Sequence, residues 1–237
     1  MIYRLLRCID KFINAAFILC CALLFAAGVY GIYDDLYVYG SALDRSFMSY
    51  KPESSAALAE AGRITDGQVG WITVDATTID YPLMQGKDNY EYLNLDPYGN
   101  FSMSGSIFLD SSNDKELTDE YVLIYGHHMG GGAMFGSLDS FLDEKYFEEH
   151  RTESLSTEER VYSLELFAVA SFDATDRLFF SPGSAERSKV IPELEKSSII
   201  YRPPGEGSIV ALTTCWGDTE VSRLLVLGTI TEKEAEE

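Results

Sequence analysis

A cysteine and an arginine stand close together near the carboxyl end of the chain, in the stretch ALTTCWGDTEVSRLLVLG (residues 211–228). Cys215 and Arg223 lie in apolar, strand-like sequence. A thiol that only fills space needs no cation beside it, whereas nearby positive charge favours the thiolate of a thiol that attacks a carbonyl. A histidine could then move the proton and the arginine could stabilise the developing oxyanion. Core filler and nucleophile are the two interpretations of Cys215.

The histidine of such a reaction has to come from elsewhere in the chain. His127 and His128 follow the apolar stretch YVLIY and begin a glycine-rich segment, and functional side chains are often presented by such loops. Neighbouring residues of a strand point to opposite faces, so only one of the pair can face Cys215, and the two cannot easily share one metal ion. We therefore expect no metal site and no cofactor.

Other titratable residues fit ordinary surface roles. His150 lies in the charged run DEKYFEEHRTE and is expected to be a solvated residue at a helix end. We expect three aspartates to be surface acids: Asp110, Asp139 and Asp143.

The composition limits the classes of function. The 237 residues allow one sizeable globular domain with an appendage. The 18 basic and 38 acidic residues give a net charge of −20. We therefore expect no nucleic-acid partner.

A membrane segment is predicted near the amino terminus. Residues 12–33 (FINAAFILCCALLFAAGVYGIY) carry no charge and are long enough to cross a bilayer as a helix. Basic residues precede the segment and aspartates follow it, which places the amino terminus in the cytoplasm and the rest outside the cell membrane. A cleaved signal peptide is the alternative, but its apolar region is normally about 7 to 15 residues. Cys215 is then the only exported cysteine and cannot form an internal disulfide.

The elements that must position these residues are mostly strands. Alternating apolar and β-branched residues predict strands in VGWITVDATTIDYPLM, SGSIFLD, YVLIYGHHM, ERVYSLELFAVASFDA, GSIVALTTC and SRLLVLGTI. Helical spacing predicts one amphipathic helix over 133–150, another over 184–198, and one or two short helices over 34–62. Many short strands without strand-helix alternation favour a β-sandwich or β-barrel over a parallel α/β sheet.

These motifs resemble those of the sortases, the membrane-anchored cysteine transpeptidases of Gram-positive-type cell surfaces, and within them class B. The TLxTC motif of the family appears here as ALTTC, its histidine motif as YGHHM, and its arginine as Arg223. DYPLMQGKDNYEYL, SGSIFLD and YGHHMGGGAMFGSLDSF match class B features. The resemblance covers roughly residues 67–231.

The resemblance implies a fold and a division of the chain. The fold is mostly β, a sortase-type eight-stranded β-barrel with peripheral helices over residues 67–231. It follows a cytoplasmic tip and transmembrane anchor (1–33) and a helical extension (34–66), and a frayed tail (232–237) ends the chain.

The resemblance also implies a reaction, a thiol-protease-like step followed by transfer. Cys215 would attack a carbonyl in the C-terminal sorting signal of a surface protein, of the Asn-Pro-x-Thr type, and form a thioacyl enzyme. An amine from a peptidoglycan cross-bridge or from a pilin lysine would then release the protein as a new amide. His127 would act as general acid and then as general base, and Arg223 would stabilise the oxyanion or position the substrate. Four further residues match positions that line the sorting-signal groove in class B members: Asn89, Leu93, Tyr125 and Thr213.

The sequence departs from the family pattern in places, and alternatives stay open. His128 stands where asparagine is common, and Asp218 is only a loose candidate for an acidic neighbour, so we assign no third catalytic acid. A cysteine endopeptidase or wall hydrolase would resolve the acyl enzyme with water. His127 precedes Cys215 by 88 residues, the reverse of the papain-like order, and the caspase signature is missing. A noncatalytic surface binding domain on the same barrel is the other alternative.

Overall fold

The computed structural model describes residues 2–53, 62–217 and 221–233. The chain divides into two compact units, Met1–Ser41 and Ala42–Glu237. Helix α1 (Ile2–Ala42) accounts for the first unit. By length and composition, it could cross a membrane. It is longer than the predicted span, since no proline occurs before Pro52 to stop it.

The described part of the second unit contains nine strands in one sheet. They are β1 (Gln68–Thr73), β2 (Asp80–Met84), β3 (Ile107–Leu109), β4 (Tyr121–Tyr125), β5 (Thr152–Thr157), β6 (Val161–Asp173), β7 (Ile200–Tyr201), β8 (Ser208–Cys215) and β9 (Ser222–Glu232). The hydrogen-bonded order is β5-β1-β2-β3-β4-β8-β9-β6, and a further β5–β6 pairing joins the two ends. Eight strands therefore close into a barrel, as predicted, while β7 pairs only with β6.

Two parallel pairings interrupt the otherwise antiparallel barrel. β2 pairs with β3 in parallel, and β4 pairs with β8 in parallel. The β4–β8 pair matters for function, because parallel strands end at the same edge of a sheet. The carboxyl ends of β4 and β8 thus lie side by side, with Tyr125 opposite Thr213.

Short helices lie around the barrel: α2 (Glu144–Glu149), α3 (Arg177–Phe180) and α4 (Arg187–Ser197). The predicted helix over 184–198 is confirmed as α4. The single helix predicted over 133–150 is wrong, because this stretch forms a 3-10 helix (Gly136–Leu142) and then α2. Asp143 separates them with an extended backbone, and its side chain accepts a hydrogen bond from the Tyr146 N–H. This is N-cap geometry, which starts a new helix.

The stretch between the predicted membrane segment and the barrel differs from the expectation of separate short helices. Residues 34–42 continue α1, and a 3-10 helix follows at Ser46–Tyr50. Residues 54–61 of the predicted extension lie outside the described residues.

Strand alternation divides the side chains of β4, β8 and β9 between two apolar clusters. The even-numbered residues join a cluster to which strands around the whole barrel contribute, which is its interior: Val122, Ile124, Val210, Leu212, Leu224 and Val226. The odd-numbered residues pack outside the barrel against residues of α3 and α4: Tyr121, Leu123, Ile209, Ala211, Leu225 and Leu227. Buried on both faces, these strands read as nearly continuous apolar runs.

Candidate active site

The odd-numbered row of side chains continues to the ends of the three strands, where polar residues replace apolar ones. Tyr125 ends β4, Thr213 and Cys215 end β8, and Arg223 lies near the start of β9. Cys215 is directly opposite Arg223 in the antiparallel register, and Thr213 is opposite Tyr125. Cross-strand partners share a face of the sheet, so all four side chains lie on the outer face of the barrel.

A cleft of about 300 Å³ opens at this place. Its lining includes the seven residues singled out from the sequence: Asn89, Leu93, Tyr125, His127, Thr213, Cys215 and Arg223. Tyr90, Phe108 and Phe180 add apolar surface that sequence reasoning missed. The structure thus brings the seven residues together, while the role of each stays a prediction.

Cys215 is an exposed, free thiol. It is the last residue of β8, and the chain returns at once, with the Trp216 N–H donating to the Ser222 carbonyl over 3.1 Å. This short connection places the half-buried Arg223 beside Cys215. A guanidinium in that position can favour a thiolate or an oxyanion formed on the attacked carbonyl. Asp218, the loose candidate for an acidic neighbour, lies outside the described residues.

The two histidines have different surroundings. His127 is half-buried and lines the cleft, and its Nε2 lies 3.0 Å from the Leu93 carbonyl oxygen. Because a carbonyl only accepts, Nε2 carries the hydrogen, which leaves Nδ1 for proton transfer. His128 is exposed, and its Nε2 lies 2.8 Å from an Asp139 carboxylate oxygen. His128 is not among the residues that line the cleft.

Gly126 follows the last residue of β4 and separates Tyr125 from His127. Its N–H donates to the Thr213 carbonyl over 3.1 Å, which continues the β4–β8 ladder by one residue. A Cβ at this position would lie 2.5 Å from Ile107 Cδ1 and 2.6 Å from two ring atoms of Phe135. The missing side chain therefore lets the histidine segment pass close to the core.

Asp110 is not the surface acid we expected. The residue is only 3% exposed and follows β3 directly. Its Oδ2 accepts hydrogen bonds from the Tyr125 hydroxyl at 2.9 Å and from the Asn89 amide at 2.7 Å. The local sequence SGSIFLD gives no sign of this burial, which depends on partners 15 and 21 positions away. Asp139 and Asp143 are exposed, as expected.

The surroundings of Tyr125 keep its hydroxyl protonated. Burial raises the pKa of Tyr125 well above its usual value of 10, and the nearby charge of Asp110 raises it further. Arg223 opposes this shift weakly. Tyr125 therefore acts as a hydrogen-bond donor to Asp110 at any physiological pH.

Two threonines beside the cysteine have unused hydrogen-bonding capacity. The hydroxyls of Thr213 and Thr214 are buried and have no hydrogen-bond partner among the described residues. Thr213 lines the cleft, while its hydroxyl oxygen is buried beneath the cleft surface. Within residues 2–53, 62–217 and 221–233, no group of three histidine, cysteine, aspartate or glutamate side chains is arranged to hold a metal ion.

Comparison with known proteins gives this arrangement a family context. The sequence model of the sortase domain family matches residues 72–231 of this chain. Sortase B of Listeria monocytogenes is 30% identical in an alignment of 185 positions that covers 74% of this chain and 74% of its own. A class B sortase of Streptococcus pyogenes, involved in pilus biogenesis, has a solved structure that is 36% identical with a TM-score of 0.66, covering 71% of this chain and 94% of its own.

A second solved structure is similar over the same region. The Staphylococcus aureus sortase B–substrate complex is 27% identical with a TM-score of 0.66, covering 72% of this chain and 82% of its own. The family model alone matches well over half of the 237 residues. The chain therefore belongs to the sortase family, and within it to class B.

Proposed function

We propose that this protein is a cysteine transpeptidase that joins surface proteins to an amine acceptor outside the cell membrane. One observation carries the proposal: an exposed thiol at the end of β8 lies opposite Arg223 and shares one cleft with His127. A thiol nucleophile, a proton carrier and a fixed cation are what acyl transfer requires.

In the first half-reaction, the Cys215 thiolate attacks the carbonyl carbon of the scissile peptide bond. Negative charge develops on the carbonyl oxygen, and the Arg223 guanidinium stabilises it. Protonated His127 gives its proton to the leaving nitrogen, the C–N bond breaks, and a thioester remains on Cys215. The Leu93 carbonyl accepts from His127 Nε2 and holds the ring in place, so Nδ1 delivers the proton.

In the second half-reaction, a primary amine attacks the thioester carbon. Neutral His127 takes the proton from the attacking nitrogen, and the thiolate leaves as the new amide forms. The same nitrogen atom of His127 thus serves in both directions. The apolar surface supplied by Phe108, Phe180 and Leu93 lies beside the thiol and can hold apolar parts of the peptide.

The partners are proposed from the family to which the chain belongs. The substrate is a surface protein with a C-terminal sorting signal of the Asn-Pro-x-Thr type, and the acceptor is a peptidoglycan cross-bridge or a pilin lysine. The Streptococcus pyogenes relative involved in pilus biogenesis supports the pilin alternative.

The membrane topology is part of the proposal. Residues 1–33 form the cytoplasmic tip and anchor, 34–66 the extension, 67–231 the catalytic domain and 232–237 the tail. The apolar surface of α1 is exposed throughout the candidate span, as a helix surrounded by lipid requires. The basic residues before the span favour a cytoplasmic amino terminus.

Product analysis tests the proposal directly. The full chain in detergent is incubated with a panel of sorting-signal peptides and several amines, and the products are identified by mass spectrometry. We expect amide products that disappear in Cys215→Ala. Acid products alone, at every amine concentration, would instead support the cysteine endopeptidase or wall hydrolase, and activity that survives Cys215→Ala would refute the thiol mechanism.

A further inference from the structure

The geometry points to Asp110 as a positioning residue that fixes the hydrogen-bonding polarity of the substrate cleft, so that Tyr125 presents an acceptor and Asn89 presents a donor. This inference rests on the proposed function, because it concerns how the same cleft recognises its peptide. Asp110 itself is not among the residues that line the cleft.

The carboxylate of Asp110 is fully occupied. Oδ2 accepts from the Tyr125 hydroxyl and the Asn89 amide. Oδ1 accepts from the Ser112 N–H at 2.9 Å and from the Ser112 hydroxyl at 2.7 Å. Four donors therefore converge on one carboxylate that is 3% exposed, and a carboxylate offers about four lone-pair positions. This accounting gives a physical reason for the buried acid.

The contacts with Asp110 decide what the two cleft residues can still do. The only hydrogen of the Tyr125 hydroxyl goes to Asp110, so its oxygen can only accept from a ligand. The Oδ1 of Asn89 accepts from the Ser111 N–H at 2.7 Å, which fixes the amide orientation. Asn89 Nδ2 keeps a second hydrogen that is not used by Asp110 and can donate to a ligand.

Tyr125 and Asn89 are close enough to act on one ligand group. Both bond to the same oxygen of Asp110, so their polar atoms are no farther apart than the sum of those two hydrogen-bond lengths. A primary carboxamide carries an N–H and a C=O on the same side, whereas in a trans peptide group the two point in opposite directions. The pair is thus suited to a carboxamide side chain of the peptide, whose N–H would donate to Tyr125 and whose C=O would accept from Asn89.

Peptide binding to the full chain in detergent, on a Cys215→Ala background that prevents turnover, tests the inference. The probe is a fluorescent sorting-signal peptide, and its affinity is measured by fluorescence polarisation. Asp110→Asn replaces one acceptor oxygen by a donor, and we expect the affinity to fall about 10- to 100-fold, as when buried donors lose their acceptor. Asp119→Asn is the matched control, because Asp119 accepts from Asn113 and Asp114 in the same region, and neither partner is among the residues that line the cleft.

Two further measurements separate positioning from general stability. In the chain with Cys215 intact, Asp110→Asn should leave the rate of Cys215 alkylation by iodoacetamide within about twofold of the wild-type rate. The effects of Asp110→Asn and Tyr125→Phe should be strongly non-additive, because they remove the same interaction. If Asp110→Asn does not fold, a double-mutant cycle of Tyr125→Phe and Asn89→Ala replaces it. We then expect the effects of these two substitutions on peptide affinity to be non-additive, because both residues bond to Asp110.

Several outcomes would overturn the inference. They are an unchanged affinity in Asp110→Asn, an equal loss in Asp119→Asn, and additive effects in either cycle. If peptides bind but the intact chain forms no product, the proposed function fails while the binding comparison still decides the role of Asp110. Absence of binding by every peptide in the panel would overturn both.

Discussion

Gly126→Ala should destabilise the barrel and displace the histidine. The new Cβ would lie 2.5 Å from Ile107 Cδ1 and 2.6 Å from Phe135 Cγ and Cδ2, about 1 Å closer than carbon atoms pack. The Ile107 methyl is the end of a flexible side chain, but the Phe135 ring is fully buried and cannot move without disturbing its neighbours. Overpacking of this kind costs about 1–3 kcal/mol, so we expect the free energy of unfolding to fall by that amount.

The melting temperature and the peptide-cleavage rate measure the two consequences. A domain of this size should lose about 2–4 °C per kcal/mol. The cleavage kcat/KM should fall about 10-fold or more. Residue 126 lies between Tyr125 and His127, so a backbone shift caused by the new Cβ would displace both side chains. Gly205→Ala is the matched control, since its Cβ would meet only Thr229 Oγ1 at an ordinary 3.5 Å.

A double-mutant cycle identifies the clash as the cause. Ile107→Val deletes Cδ1 and alone should cost about 0.5–1.5 kcal/mol. Combined with Gly126→Ala, the total loss should be smaller than the sum of the two single losses. An unchanged melting temperature in Gly126→Ala, or strictly additive losses, would refute the argument from close packing.

Three other changes have outcomes fixed by the site or by the core. Arg223→Lys should lose most transpeptidation in a steady-state assay, because lysine keeps the charge but not the planar fork of donors. His127→Ala should reduce kcat/KM far more than His128→Ala, since only His127 lines the cleft. Burial raises the pKa of Glu153 from 4.5 to about 8. The folded state then binds more protons than the unfolded state between these pH values, so stability falls as pH rises from about 4.5 to about 8. Urea unfolding at pH 5, 7 and 9 should show this fall in the wild type, and Glu153→Gln should remove it.

Each of these expectations has a clear contrary result. Near-normal turnover in Arg223→Lys would reduce Arg223 to a structural cation. A larger effect of His128→Ala would show that the wrong histidine was chosen. A pH dependence of stability that is the same in Glu153→Gln would mean that other groups cause it.

The sequence predicts the structure best where the strands are clear apolar runs and the residues that meet are close together in the chain. β8 and β9 are continuous apolar runs, and their short connection brings Cys215 and Arg223 together without help from distant residues. The strand before His127 was also predictable, and the barrel class follows from the many short strands. His127 and Cys215 are 88 positions apart. Their placement in one site was predicted from the family motifs, because the periodicity of apolar residues carries no information about such distant contacts.

The features that the sequence did not predict have physical causes. β5 pairs with β1 and β6, and it closes the barrel, but its sequence TESLST is largely polar and does not alternate like a half-buried strand. Asp110 looked like a surface acid because its burial depends on Asn89 and Tyr125, which are remote in sequence. The break at Asp143 was hidden because apolar residues continue at helical spacing on both sides of the cap.

The parallel pairing of β4 with β8 also concerns the order of events during folding. His127 and Cys215 meet only when two strands of high sequence separation align, and such contacts tend to form late. Before that moment, Cys215 lacks His127 and should react as an ordinary thiol. Its reactivity toward alkylating agents therefore reports completion of the fold, and an incompletely folded chain would not carry an active nucleophile.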